Sequence, residues 1–175
     1  MRSAGIAAFS FMGSLLLSCT DGSGECKSSS ACEDADLCYE GSCVPALDQT
    51  YQINVLRVDV VGSHPDGSSW DSDGTPPDLW VEFGINEGEG CNTETVYNAY
   101  SASWDYYCTF VLPTGETFLI NVWDSDGTDD EFGAGFYWQN NQLVELLRAS
   151  DEPQTVLDKT GLIAVRFEIT PTFDL

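Results

Sequence analysis

The chain has 175 residues, a formal net charge of −23, a single histidine and seven cysteines. Acidity of that size excludes nucleic acid, whose phosphates would repel the chain, and it excludes unaided attachment to anionic lipid. The length suits one modest domain with an appendage.

Met1-Arg2 is a short basic start, Ala4 to Leu17 is apolar and uncharged, and the stretch closes on Leu16-Leu17-Ser18-Cys19. A positive end, a short apolar run and a small residue before the cut make a secretory signal. The run falls short of the ~20 residues of a permanent membrane helix, and no second long apolar segment follows. Leu16 to Cys19 resembles the lipobox of bacterial lipoproteins. The resemblance implies a signal over 1–18, a mature chain beginning at Cys19, and a lipid on the Cys19 thiol as the membrane anchor. The protein would then be exported and held in the cell envelope. Thr20 supplies no obvious inner-membrane retention signal, which points to the outer membrane. Removing the signal takes away Arg2 alone, so the mature chain carries −24. The alternative is an ordinary signal with Cys19 as one more half-cystine.

Setting Cys19 aside leaves Cys26, Cys32, Cys38, Cys43, Cys91 and Cys108, an even number that suits three disulfides in an exported chain. After a tether over 19–25, the segment 26–44 holds four cysteines with almost no apolar content, so crosslinks must replace a core there. Its spacing makes it a local unit, with Cys91 and Cys108 as another pair. Connectivity inside the first unit stays open. Zinc is the weaker reading, because there is no CxxC pair and His64 lies elsewhere. The segment resembles the small cysteine-rich modules found ahead of other domains in exported proteins; it reads as a disulfide-stiffened spacer, with a binding module as the alternative.

From Tyr51 to Leu175 the texture becomes β-rich. Strands are expected at 53–60, 79–85, 107–112, 118–123 and 162–169, with weaker ones at 95–100 and 135–138, and a short helix over 142–148. Gly, Pro, Asp and Asn separate them, which points to an all-β sandwich over 51–175.

Two loops between these strands repeat the same words: WDSDGTPPD at 70–78 and WDSDGTDDEFG at 123–133. Turn chemistry accounts for one or two aspartates in each. It does not account for Asp71, Asp73 and Asp78 together with Asp124, Asp126, Asp129 and Asp130. Brought to one end of a sandwich, such charges repel by about 4 kcal/mol per close pair before screening. A divalent cation removes that repulsion, and many hard oxygen ligands suit Ca²⁺. An EF-hand is excluded, since its required glycine position is filled by Pro76 in one loop and Asp129 in the other.

Taken in order, these motifs resemble the C2 domain, a calcium- and lipid-binding β-sandwich. Asp71 to Val81 looks like its first calcium loop, one residue longer than usual. Ser103-Trp104-Asp105 resembles its Trp-containing turn. Segments 122–126 and 129–133 look like its third loop, and 161–171 like its closing strand. The resemblance implies an eight-stranded antiparallel C2-like β-sandwich whose extra strand lies at the C-terminus. It places Asp71, Asp78, Asp124, Asp126 and Asp130 at ligand positions, with Asp73 and Asp129 nearby. Leu79 replaces the usual proline after the second aspartate, and the lysine-rich strand that some relatives use for phosphoinositides is absent. Trp70 and Phe132 flank the loops, where C2 domains place residues that enter membranes or partners. Packing is the plainer role for both.

Catalysis has little support. His64 is a lone loop histidine, no cysteine is left as a nucleophile, and the acids crowd in turns instead of standing apart in an apolar pocket. The sequence therefore reads as a non-enzymatic envelope lipoprotein with a Ca²⁺-dependent lipid or protein partner. The alternatives are a calcium-stabilised structural sandwich and, more remotely, a carboxylate-dependent glycan hydrolase.

Overall fold

A computed structural model describes residues 25–64, 66–86, 90–126, 130–150 and 152–172. The signal, Cys19 and Asp129 lie outside the described residues. Among those described, a cysteine-rich unit precedes a sandwich of two four-stranded antiparallel sheets.

The unit holds a short hairpin, β1 (Asp36–Tyr39) and β2 (Ser42–Pro45), turned at Glu40-Gly41. Its disulfides are Cys26–Cys38 and Cys32–Cys43. Oxidised sulfurs of this kind are not thiolate ligands, which disposes of zinc.

The sandwich strands are β3 (Gln49–Val60), β4 (Leu79–Ile85), β5 (Gly90–Asn92), β6 (Ser101–Leu112), β7 (Thr117–Ser125), β8 (Asp130–Gln139), β9 (Gln154–Leu157) and β10 (Ile163–Pro171). One sheet runs β6-β3-β10-β9 and the other β5-β4-β7-β8. The C-terminal strand β10 pairs with the first sandwich strand, β3. Cys91 on β5 and Cys108 on β6 join the two sheets along one open side.

The alternation in β3 is imperfect for a physical reason. Tyr51, Ile53 and Val55 are buried, then the phase jumps to Val58 and Val60. Leu56 is the extra residue against β10, and it stands opposite the Trp104-Asp105 pair of β6. The chain bulges there, which restores the apolar side chains to the core face. The expected Trp-containing turn at 103–105 is therefore a bulge inside a continuous strand. The expected strand at 95–100 reduces to a single bridge between Val96 and Leu79. Strand β8 begins at Asp130, inside what reads as a loop in the sequence.

Helix α1 (Asn140–Arg148) buries Leu143, Val144, Leu146 and Leu147, the one-sided spacing of an amphipathic helix. The cysteine-rich unit docks against it. Leu37 belongs to the same buried cluster as these helical residues. The Arg148 guanidinium donates to the carbonyls of Ser29, Glu33 and Asp36. The segment read as a spacer is thus packed onto the sandwich.

Chain direction gives the sandwich two poles. Strands β3 and β7 run toward the acidic loops, and β4 and β8 start from them. The start of β3, the end of β8 and helix α1 lie at the other pole.

Candidate metal centre

Strand β7 positions the central residue. Phe118, Ile120 and Val122 alternate onto the core face, and Asp124 is next in that row. Period-two geometry therefore sends a carboxylate inward between the sheets, where it is 0% exposed. Its Oδ1 accepts a hydrogen bond from the Asp78 backbone N–H at 2.6 Å. Its Oδ2 is buried with no hydrogen-bond partner, and a charged oxygen left so is costly.

Asp71 reaches this point from the β3–β4 loop. Gly74, at φ +81°, supplies the left-handed residue that turns the loop, and its N–H bonds the Asp71 carbonyl. Asp126 approaches from just beyond β7. Carboxylate oxygens of Asp71, Asp124 and Asp126 all lie within 4.8 Å of one another. The two loops are tied together where the Ser125 N–H meets the Asp78 carbonyl at 2.9 Å.

Electrostatics reflect this crowding. Burial pushes the Asp124 carboxyl up to about 6; the Asp78 N–H opposes the shift, while the charges of Asp71, Asp126 and Asp78 add to it. Asp126 is also raised, first by desolvation, then by a hydrogen bond shared with Asp71 and by the charges of Glu131, Asp71 and Asp78. A set of oxygen-only, like-charged ligands around an orphaned buried oxygen fits a hard divalent cation.

The other expected ligands separate from this group. Asp78 stands beside it, with its carboxylate accepting the Asn98 N–H at 2.7 Å. Asp73 closes a local turn, accepting the Thr75 N–H and hydroxyl at 3.0 and 2.7 Å. Those bonds hold it below the usual carboxylate range. Asp130 is exposed at the start of β8, paired in register with Ser125.

Residues passed over in the sequence also shape the site. The Thr75 hydroxyl reaches the Asp71 carboxylate at 3.0 Å, and its signal was available, because both loops read DSDGT. Glu131 lies opposite Asp124 in register and 3.6 Å from the His64 imidazole. No local pattern announces that pair.

Of the flanking aromatics, Trp70 is 5% exposed, donates its indole N–H to the Val61 carbonyl at 2.8 Å and packs on His64. It offers no free ring for insertion. Phe132 is 50% exposed and meets Trp123 edge-on, with Trp123 stacked on Trp80.

No protein-family model matches the chain, and no curated protein matches it by sequence. Solved structures do match by shape. A two-domain structure of extended synaptotagmin 2 with calcium bound superposes with a TM-score of 0.56 at 12% identity, covering 73% of this chain and 47% of that one. Human GIVD cytosolic phospholipase A2, in complex with an inhibitor and terbium chloride, gives 0.54 at 14% identity over 71% of this chain. The chain spans 18% of that enzyme's length. A solved C2 domain gives 0.50 at 13% identity, with 69% of this chain on 97% of that one. The eight strands therefore form a C2-like β-sandwich.

Proposed function

We propose that this protein is a calcium-binding module of the bacterial cell envelope, exported, held by a lipid on Cys19, and attaching to a membrane or protein surface when calcium is bound. The observation that carries the reading is the meeting of Asp71, Asp124 and Asp126 around the unpartnered Asp124 Oδ2. Asp71, Asp124 and Asp126 would hold the ion, with Asp78 beside them. The ion would supply positive charge where three carboxylates repel, and a coordination position open to an oxygen ligand of a partner. The calcium-bound state of extended synaptotagmin 2 and the terbium of the phospholipase complex lend support by analogy of fold. The reading is non-enzymatic: the clustered acids share one crowded site and lack the separated, differently shifted pair that acid–base work needs.

The test is titration of the mature protein with Ca²⁺ by calorimetry, alongside Tb³⁺ luminescence sensitised by the nearby Trp123. Saturable binding lost in Asp124→Asn is expected. Absence of both signals would leave the acidic loops as solvated turns.

A second reading, a calcium-stabilised sandwich that binds no lipid, is favoured by the burial of Trp70. Flotation with anionic vesicles of the form truncated before Thr20, with and without Ca²⁺, separates the two.

A further inference from the structure

The outward face of the β5-β4-β7-β8 sheet carries a cleft at the pole opposite the acidic loops. Its volume is about 520 Å³, within the range of small-molecule sites, and it is lined by Asn86, Thr117, Leu119, Tyr137, Gln139 and Gln142. The alternation that turns Phe118 and Ile120 into the core turns Thr117 and Leu119 outward. In register, Thr117 faces Gln139 and Leu119 faces Tyr137. Asn86 follows the end of β4, and Gln142 comes from the first turn of α1.

Leu119 is 2% exposed, yet it is not part of the buried cluster that fills the sandwich. It forms an apolar floor on the outside of the sheet. Tyr137 is 51% exposed and leans back over Gly135. A Cβ at that glycine would fall 2.5 Å from the Tyr137 Oη and 2.6 Å from its Cε2, so the bare glycine is what lets the ring lie along the strand. The polar groups around it are already oriented. Gln139 donates its side-chain amide to the Thr117 hydroxyl, the Asn86 Oδ1 accepts the Thr117 N–H at 3.3 Å, and the Asn86 amide donates to Glu116. A side-chain amide has two N–H groups and an oxygen with two lone pairs, so each keeps capacity after these bonds. All six lining residues are uncharged, in a chain with 29 acidic residues. The lining offers no ion-pair partner, and the surrounding charge repels polyanions.

We infer that this cleft binds an uncharged glycan, with the Tyr137 ring packing on the C–H surface of a pyranose while the amides of Asn86, Gln139 and Gln142 exchange hydrogen bonds with its hydroxyls. A sugar hydroxyl donates and accepts at one atom, and a side-chain amide does both within one group. The cleft and the metal centre lie at opposite poles, so glycan binding requires no ion and does not depend on the calcium reading.

The experiment titrates the full chain, in chelator, with cellotetraose and chitotetraose as neutral probes and tetragalacturonate as the charged control, read by calorimetry. Saturable binding of at least one neutral sugar, and none of the acidic one, is expected. Tyr137→Ala should weaken that binding about tenfold, and Tyr137→Phe should leave it within about twofold. Gly135→Ala displaces the ring without changing its chemistry, so it should weaken binding as Tyr137→Ala does. Gln142→Ala, on the exposed side of α1, should cost about fivefold and decides the matter if the sheet variants fold poorly. No binding of either neutral sugar, tighter binding of tetragalacturonate, or unchanged affinity in both Tyr137→Ala and Gln142→Ala overturns the assignment. So does saturable binding of a polyproline peptide in place of the sugars, which would mark the cleft as a groove for extended peptide.

Discussion

Asp124 occupies the end of a core-facing row, and its ionisation works against the fold in the absence of metal. Its folded-state pKa of about 6 exceeds the ordinary carboxylate value of 3.8. Between those values the folded chain holds more protons than the unfolded one, so metal-free stability falls as pH rises through that window and stays low above it. A gap of that size corresponds to at most about 3 kcal/mol. The variant Asp124→Asn keeps an acceptor for the Asp78 N–H. It should flatten the slope between pH 4 and 6, raise the chelator-treated melting temperature at pH 7, and erase the response to Ca²⁺. Differential scanning calorimetry at the two pH limits checks this; equal slopes in both proteins would refute it. Asp73→Asn is the contrast. Its carboxylate is already satisfied by Thr75, so the calcium response should survive, measured by the same titration.

At the scale of elements, the Cys91–Cys108 bond closes a span of 17 residues between the sheets. Replacing both cysteines with serine should cost about 3 kcal/mol on the chain-entropy model, read from urea denaturation. Arg148→Ala should loosen the cysteine-rich unit while the sandwich stays folded, seen as faster amide exchange over 26–45 than over β7. How well each element can be read from sequence follows from its burial. Leu79–Ile85 and 118–123 stand out because both faces of those strands are apolar or the alternation is clean. Strand β6 is read only over 107–112: Ser101 to Tyr106 does alternate polar and apolar residues, but Ser103-Trp104-Asp105 reads as a turn, and of that stretch only Ala102 is buried. Strands β5 and β9, of three and four residues, are too short to carry a period. The acidic site is legible as repeated words but not as a ligand set. Which carboxylates converge depends on the inward phase of β7 and on the local turn that captures Asp73, and neither is visible in a list of aspartates.

Across the whole molecule, a net charge of −23 in the chain gathers partly at one pole, so metal occupancy should govern stability as well as contact. Chelation should lower the melting temperature, and Ca²⁺ at a hundredfold excess over its Kd should restore about 2.7 kcal/mol. Mg²⁺ should do so less well, because it demands a smaller, more hydrated shell. Identical melting in chelator and in millimolar Ca²⁺ would contradict this. The long border strand β6 has a consequence of another kind. It leaves one rim of backbone donors and acceptors unpaired beside Tyr106, Tyr107 and Val111, all exposed, which is the template on which chains polymerise edge to edge. Two features stand guard there: the bulge at Trp104-Asp105, which breaks the regular pleat, and the crosslink from Cys108 to β5, which pins the rim against its neighbour. A chain that reaches an oxidising compartment late, or is held reduced, would meet its own copies along that border first, so oxidation protects solubility before it contributes to stability.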